Sequence, residues 1–484
     1  MDKRSIVHVV SVTTLVSFLT GVNARLALVG IPTIAQSLNA GITTVVWIIQ
    51  GYMLGSTFMQ ILIGRLADLY GRVKLFNIGI LVFTLGALAA GLSTNSIEVI
   101  FSRILQGVGA AFLMALSITI LTDHIPSTML ATWLGINQVA WRTGALIGLT
   151  LSGFIIDYMG WHWLFLIQVP IGITSYFWSR HTLREIYKPI EKPVIDWRGF
   201  AIFTSSVTLI LIALTFLTYG YGFIVVGEIF IAIAILLIAI FTVIELREEN
   251  PLIDLRLFRI WQFTGGIMAQ IFYSIAFGAS LTLLSIYLQL VKGLSATSTG
   301  LALLPFELSF LIAGVAGGRL SDLYGYIPIT IAGLLTAGTS LYILSELSSL
   351  PETSITMLLI AIAVLGIGAG LFTAPNTSSI MVSVPPHRRG IASSIRTLTF
   401  NIGFMISLNI AILAMSMHIP YEIASKIFTY IDISTQQIQT GYIVNELAHG
   451  ISTAFKIQSI LMFIAIPFSL SRIKHRHINQ DLRA

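Results

Sequence analysis

The chain has 484 residues, of which 56% are hydrophobic and only 10% are charged. In soluble globular domains about a quarter of all residues are charged, so this composition excludes an ordinary soluble protein. The net charge of +6 is small for this length and does not indicate a nucleic-acid-binding protein. The absence of cysteine excludes disulfides and thiolate metal sites.

Long apolar segments recur along the whole chain and predict an all-α membrane protein. Each segment is about 20 residues long, which is the length of a membrane-spanning helix and not of a barrel strand. We predict about fourteen spans, at 7–31, 43–63, 74–93, 97–121, 131–156, 162–179, 199–218, 222–244, 262–289, 297–316, 327–346, 354–373, 390–415 and 454–471.

The basic residues predict how the spans are oriented. If the N-terminus is cytoplasmic, the inner loops hold almost all arginines and lysines, and Lys292 and Lys426 are the exceptions in outer loops. This pattern follows the positive-inside rule. We therefore expect a multi-pass protein of the cell membrane with both termini in the cytoplasm. The segment 416–453 is then an outer loop, and it is either a lid or an inert tether.

One octapeptide occurs twice. Gly64–Gly71 reads GRLADLYG and Gly318–Gly325 reads GRLSDLYG, so seven of eight positions are identical. Each copy is a short polar turn between two predicted spans. An offset of eight spans predicts two six-helix bundles with two extra helices between them, in the manner of transporters with parallel repeats. The expected domains are 1–180, a linker with two inserted helices at 181–260, and 261–484.

Several motifs resemble the major facilitator superfamily and, within it, the fourteen-span drug:proton antiporter branch. They are the loop from Gly64 to Lys74, the sequence RILQG at 103–107, GWHWLF at 160–165, ENPLIDLRLF at 249–258, and YLQ at 287–289 with Pro305 further on. The resemblance covers nearly the whole chain and implies the major facilitator fold. It also implies export of small amphipathic compounds against protons.

Two positions depart from the branch. Its helix 1 usually carries an acidic residue in a Leu-Asp-x-Thr setting, where this chain has Asn23 and Arg25. Its helix-5 antiporter motif contains a proline that is missing among Gly144, Gly148 and Ser152. We interpret those small residues, spaced by four, as a helix-packing seam. Both departures weaken the expectation of cationic-drug export.

The repeated octapeptide and its flank contain candidate latch residues. A carboxylate at a helix end can cap a neighbouring helix and pair with an arginine. The resemblance implies that this loop locks the inner face of the transporter, and the alternative is a solvated turn that only obeys the charge bias. The predicted latch residues are Gly64, Arg65, Asp68, Gly71, Arg72 and Asp322.

Four charged residues fall inside predicted spans, where a central charge costs about 2.5–3.5 kcal/mol. Arg25 lies slightly beyond the middle of the first span and Arg142 near the middle of the fifth. Arg103 lies about seven residues inside the outer end of the fourth, and Glu307 lies near the middle of the tenth. Such residues must face water or one another.

Each of these charges has two interpretations. Arg25 and Arg142 are candidates to bind an anionic group of the substrate, or else they pair internally with Glu307 or cap broken-helix carbonyls. For Arg103 the resemblance implies proton coupling, and the alternative is a structural bond to a neighbouring helix. Glu307 is the predicted proton carrier, with a permanent ion pair as its alternative.

Polar residues on several spans are candidates to line the transport path, although any one of them is as easily explained by an interhelical hydrogen bond. The predicted substrate-contacting set is Asn23, Gln50, Gln270, Tyr273 and Asn376, with Tyr52 and Asn401 as further members.

The sequence therefore predicts a secondary active transporter and not an enzyme, because it has no nucleotide-binding loop or catalytic metal motif. We expect a monomer in the lipid bilayer that moves a small molecule with protons and needs no cofactor. The alternative is a carrier for small organic anions that uses Arg25 and Arg142. Substrate, direction and coupling ion are not fixed by the sequence.

Overall fold

The structure is a computed structural model that describes residues 3–125, 127–186, 195–218, 221–248, 251–350, 352–385, 388–418 and 437–472. Within these ranges every regular element is helical. Thirteen helical segments are long and apolar enough to cross a membrane. The predicted class, an all-α membrane protein, is confirmed.

Contacts divide the chain into two compact units, and unit 1 comprises Met1–Ile195 and Leu294–Leu301. α1 packs mainly against α6, while α5 packs against both α3 and α4. The helices are α1 Lys3–Val29, α2 Ile31–Ser37, α3 Ile42–Tyr70, α4 Arg72–Leu92, α5 Ser96–His124, α6 Ser127–Met159, α7 Trp163–Leu166 and α8 Gln168–Thr182.

Unit 2 comprises Asp196–Gly293 and Ala302–Ala484. α16 packs against α14 and α15, α18 packs against α11 and α15, and the extra pair α9–α10 attaches through α9 to α17. Its helices are α9 Trp197–Thr218, α10 Ile224–Arg247, α11 Trp261–Phe277, α12 Ser280–Ile286, α13 Ala296–Ala302 (mostly in the unit 1 segment), α14 Leu304–Tyr324, α15 Tyr326–Ser348, α16 Ile355–Val382, α17 Arg389–Ser416 and α18 Gln437–Leu470.

The sixth predicted span, 162–179, is broken in two. α7 ends at Leu166 and α8 begins at Gln168. Pro170 has no N–H to donate to the carbonyl of Leu166, and its ring crowds that carbonyl, so the helix is interrupted there. α8 has 15 residues. At 1.5 Å per residue it is about 22 Å long, which is shorter than the roughly 30 Å apolar core.

The last span is longer than the sequence predicted. The expected span was 454–471, whereas α18 begins at Gln437 and ends at Leu470. The predicted outer loop at 416–453 is therefore helical from residue 437 onward. The stretch 419–436 of that loop lies outside the described residues.

Glycines bring α1 and α6 into backbone contact. A Cβ atom on Gly144 would overlap the carbonyl oxygen of Phe18, and one on Gly148 would overlap that of Val22. Gly21 faces the carbonyl oxygen of Trp141 in the same way. Small residues are what allow two membrane helices to approach so closely. The predicted packing role of Gly144 and Gly148 is confirmed.

We predict that Gly148→Ala destabilises the protein, because the new methyl group would press on the Val22 carbonyl. Overpacking of this kind costs about 1–3 kcal/mol. The matched control is Gly135→Ala on the same helix, where no heavy atom lies within 4 Å of the new Cβ. Both changes raise helix propensity equally, so a lower Tm in detergent for Gly148→Ala alone is expected. Equal melting temperatures would contradict the contact.

Candidate functional site

The guanidinium of Arg103 forms the centre of a buried polar node in unit 1. Arg103 lies in α5 and only 3% of its surface is exposed. Its Nη1 atom donates to Asn23 Oδ1 of α1 at 3.0 Å and to Gln106 Oε1 at 2.5 Å. Its Nε atom donates to the backbone carbonyl of Ile48 in α3 at 3.4 Å. One side chain therefore ties three helices together.

Amide side chains extend the node to the broken helix pair. Gln106 Nε2 donates to Gln168 Oε1 at 3.1 Å, and Gln168 Nε2 donates to the carbonyl of Leu164 at 2.9 Å. Neither glutamine is exposed. The second hydrogen bond lies across the break between α7 and α8, where a carbonyl needs a side-chain partner.

Aromatic rings cover the guanidinium. Its Cζ atom lies 4.4 Å from the ring centroid of Tyr52 and 5.6 Å from that of Phe165. Both distances fall within the range of a cation–π interaction, which is strongest where water is excluded. Hydrogen bonds to a charged group contribute about 1.5–3 kcal/mol each, which offsets the cost of burying this cation. Among the described residues, Arg103 forms no ion pair.

Arg25 and Arg142 are only half-buried. Arg25 lies four residues before the end of α1, so the prediction that it lies just beyond the middle of the helix is wrong. The helix ends at Val29 instead of continuing through residue 31. Arg142 lies well inside α6, with its Cζ atom 5.5 Å from the ring of Trp141. Gln50, also predicted, is fully buried in α3.

An apolar cavity of about 590 Å³, open to the surface of the molecule, lies between α1 and α6. Aromatic and aliphatic side chains form most of its wall, with hydroxyl groups of Thr14 and Thr143 among them. Its lining includes Val10, Leu15, Phe18, Trp133, Ile136 and Ala140.

Three predicted residues come together in unit 2. Asn376 Nδ2 donates to the carbonyl of Gly266 at 3.2 Å and lies 3.5 Å from Gln270 Oε1. The hydroxyl of Thr373 lies 3.4 Å from that of Tyr273. Gln270, Tyr273 and Asn376 are at most 1% exposed. They form an amide and hydroxyl cluster between α11 and α16.

A row of stacked rings leads from this cluster to Glu307. Tyr273 lies 4.4 Å from Phe372 and 5.5 Å from Phe277 between ring centroids. Phe277 lies 5.5 Å from Phe306, the residue before Glu307. Stacked aromatic pairs stabilise beyond the area that they bury. The row gives α11, α14 and α16 a rigid aromatic interior.

Glu307 is buried but does not lie in the middle of a helix. The helix breaks at Leu303, and Glu307 falls in the first turn of α14. Pro305 in that turn cannot donate to the carbonyl four residues earlier, which accounts for the break. Glu307 is 7% exposed. A helix N-terminus favours a negative charge, so the position stabilises the carboxylate.

The first octapeptide forms an ion-paired corner. Arg72 Nη1 lies 2.5 Å from Asp123 Oδ1 of α5, and its Nη2 lies 3.4 Å from Asp68 Oδ1. Gly71 has φ +96°, a value that favours glycine. Glu185, beyond the end of α8, accepts the N–H of Val73 at 2.8 Å and thereby caps α4. Three helices, α3, α4 and α5, meet at this corner with the segment that follows α8.

The second octapeptide has the same turn without the ion pairs. Gly325 has φ +88°, close to that of Gly71. Arg319 and Asp322 are exposed, and neither has an ion pair among the described residues. Tyr326 stands where the first copy has Arg72. The two turns are therefore alike in backbone and different in charge.

The structure brings together Asn23 with Arg103, Asp68 with Arg72, and Gln270 with Asn376. Sequence reasoning missed Gln168 and Glu185 as members of these groups. Gln106 stood in a quoted motif, but its role was not recognised. Glu185 offers no sequence signal, because it caps a helix that begins more than 110 residues earlier.

Sequence comparison identifies a family. The profile of the Major Facilitator Superfamily matches residues 13–251 and 266–424. The chain is 29% identical over 401 residues to the riboflavin transporter RibZ of Clostridioides difficile (strain 630), which covers 80% of this chain and 84% of that protein. It is 28% identical over 416 residues to the multidrug export protein EmrB of Escherichia coli (strain K12), which covers 84% and 80%.

Comparison with solved structures agrees on the fold. The crystal structure of a bacterial homologue of the human lysosomal transporter Spinster, in an inward-facing and unoccupied conformation, matches with a TM-score of 0.71. The match covers 98% of each chain at 14% sequence identity. At this identity the similarity concerns the fold alone.

We predict that Arg72→Gln loosens the first octapeptide corner, because it leaves Asp68 and Asp123 without their shared cation. The amide hydrogens of residues 64–76 should exchange about tenfold faster, since a charged hydrogen bond contributes about 1.5–3 kcal/mol. The control is Arg319→Gln in the exposed second copy, which should leave exchange at its own turn unchanged. Similar exchange in both variants would contradict the role of the ion pairs.

Proposed function

This chain belongs to the major facilitator superfamily, and we propose that it is a secondary active transporter that exports small amphipathic organic compounds in exchange for protons. The family match spans most of the chain. The proteins it is similar to include one named as a multidrug export protein and one named as a riboflavin transporter.

The apolar cavity between α1 and α6 supports amphipathic cargo. Its volume of about 590 Å³ lies within the usual range of roughly 300–1,000 Å³ for small-molecule sites. Its aromatic wall suits the apolar part of such a compound, and the buried polar groups of α1, α5 and α6 suit the polar part. This combination is the observation that carries the proposal.

Glu307 is the proposed proton carrier. Measured from the ends of the candidate spans, the other carboxylates lie within five residues of an end, whereas Glu307 lies eleven residues after Ala296, the start of its span. A buried carboxyl group accepts a proton at one stage of the cycle and releases it at another when its surroundings change. Alternation between the two sides would supply that change.

The proposed orientation follows the basic residues. We place both termini in the cytoplasm, so the two octapeptide turns also face the cytoplasm. There they would help to close the cytoplasmic side of the transporter. The plasma membrane is the proposed location. The ion-paired first corner would stabilise one state of the cycle. Gly71 would shape its turn, whereas Gly64 and Arg65 lie in the last two turns of α3.

A second candidate function is transport of small organic anions. Arg25 lies near the end of α1 and Arg142 lies well inside α6, and both are half-buried. A guanidinium binds a carboxylate with two parallel hydrogen bonds. In this alternative the two arginines bind the acidic group of the cargo.

We predict that Glu307→Gln separates substrate binding from proton coupling. In liposomes, efflux of a fluorescent amphipathic dye driven by a pH gradient should be lost, because a glutamine carries no proton. Exchange of dye for dye across the membrane, which needs no net proton movement, should persist. The control is Glu346→Gln at an exposed position of α15. Gradient-driven efflux that survives in Glu307→Gln would rule out this carrier.

We predict for the second candidate that Arg25→Gln with Arg142→Gln lowers transport of the anionic dye fluorescein by about tenfold or more, since each charged hydrogen bond is strong. Transport of uncharged riboflavin should change much less. The control pair is Arg180→Gln with Arg184→Gln, both exposed. An equal loss for both compounds would indicate a structural role and sink the anion carrier.

A further inference from the structure

The hydrogen bonds of Arg103 are all made to neutral groups. Its acceptors are the amide oxygens of Asn23 and Gln106 and one backbone carbonyl. The rings of Tyr52 and Phe165 are neutral as well. These groups accept hydrogen bonds from the Nε and Nη1 atoms of the guanidinium without cancelling its charge. The node therefore keeps a full positive charge in a region from which water is largely excluded.

The described spans of unit 1 do not supply a carboxylate to pair with this cation. The candidate spans of α1 and α3 to α6 contain four carboxylates, at Asp68, Glu98, Asp123 and Asp157. Each lies in the first or last turn of its helix. Asp68 and Asp123 are bound to Arg72, and Asp157 accepts hydrogen bonds from Thr297. None of them forms an ion pair with Arg103.

An uncompensated charge acts over a distance. In a medium with an effective dielectric constant of about 20, two like charges 10 Å apart change a binding constant on the order of tenfold. A cationic compound near the node would be disfavoured by this factor, and an anion would be favoured. An uncharged compound would feel little effect. No direct contact with Arg103 is needed.

We propose that Asn23 determines the charge of the compounds that this transporter accepts: because its amide binds Arg103 without neutralising it, unit 1 excludes organic cations and accepts neutral and anionic compounds. This inference rests on the proposed export of amphipathic compounds and specifies their class. Asn23 is well placed for the role, since Asp has the same size and would put one negative oxygen at the same 3.0 Å contact.

The test uses two dyes with the same tricyclic xanthene scaffold and opposite charge, the anion fluorescein and the cation rhodamine 123. Binding of each to the purified full-length protein in detergent gives a ratio of Kd values. The wild type should bind fluorescein about tenfold or more tightly than rhodamine 123. Asn23→Asp should shift that ratio by about tenfold or more toward the cation.

A second variant and a matched control complete the design. Gln106→Glu places a carboxylate on the same guanidinium from α5 and should shift the ratio in the same direction, even if Asn23→Asp does not fold. Asn95→Asp adds an equal charge at the exposed N-cap of α5, where it accepts the N–H of Glu98 as Asn95 does. It should leave the ratio as in the wild type.

The outcomes separate this inference from the proposed function. A wild type that binds rhodamine 123 as tightly as fluorescein, or folded Asn23→Asp and Gln106→Glu variants that match Asn95→Asp, would overturn the inference and leave export of amphipathic compounds standing. A wild type that binds neither dye contradicts the proposed function. In that case a gain of rhodamine 123 binding in either carboxylate variant still supports the role of Asn23, and no gain overturns it.

Discussion

The bond network around Arg103 is the interaction on which unit 1 depends. A guanidinium in the membrane interior is costly, and this one is retained because three helices supply amide and carbonyl oxygens and two rings cover its face. Because the hydrogen bonds fix α1, α3 and α5 relative to one another, the same charge that costs energy also specifies how the helices pack. The glycine contacts of α1 with α6 then complete the unit.

In unit 2 a different set of interactions holds the helices together. Its interior is held by stacked rings and by the amides of Gln270 and Asn376, and the buried carboxylate of Glu307 lies at a helix N-terminus. The two octapeptide turns differ in the same sense, since only the first has an arginine that pairs with carboxylates. The two turns therefore have a similar backbone conformation, but only the first is stabilised by ion pairs.

Much of the fold was predictable because hydrophobicity alone identifies membrane helices. The thirteen candidate spans in the described residues coincide with long apolar segments of the sequence. The errors have local causes: Pro170 breaks the sixth span and Pro305 breaks the tenth, and both prolines are visible in the sequence. Their consequence for Glu307, a place in a first turn and not in mid-helix, required the helix boundaries.

The candidate site was predictable only in part. Buried charge made Arg103 and Glu307 conspicuous, and polar residues in apolar spans made Asn23, Gln270 and Asn376 candidates. The partners could not be deduced, because Asn23 and Arg103 are 80 residues apart and Gln106 and Gln168 are 62 apart. Such contacts depend on how the helices pack, which a hydropathy pattern does not contain.

The most direct test of the Arg103 network is a double-mutant cycle with Asn23→Leu and Arg103→Met, read as the free energy of unfolding in mixed micelles. If the hydrogen bond between these two side chains holds α1 to α5, the two changes should be coupled by about 1 kcal/mol or more. Strictly additive effects would contradict the account, because they would mean that the amide and the guanidinium do not stabilise each other.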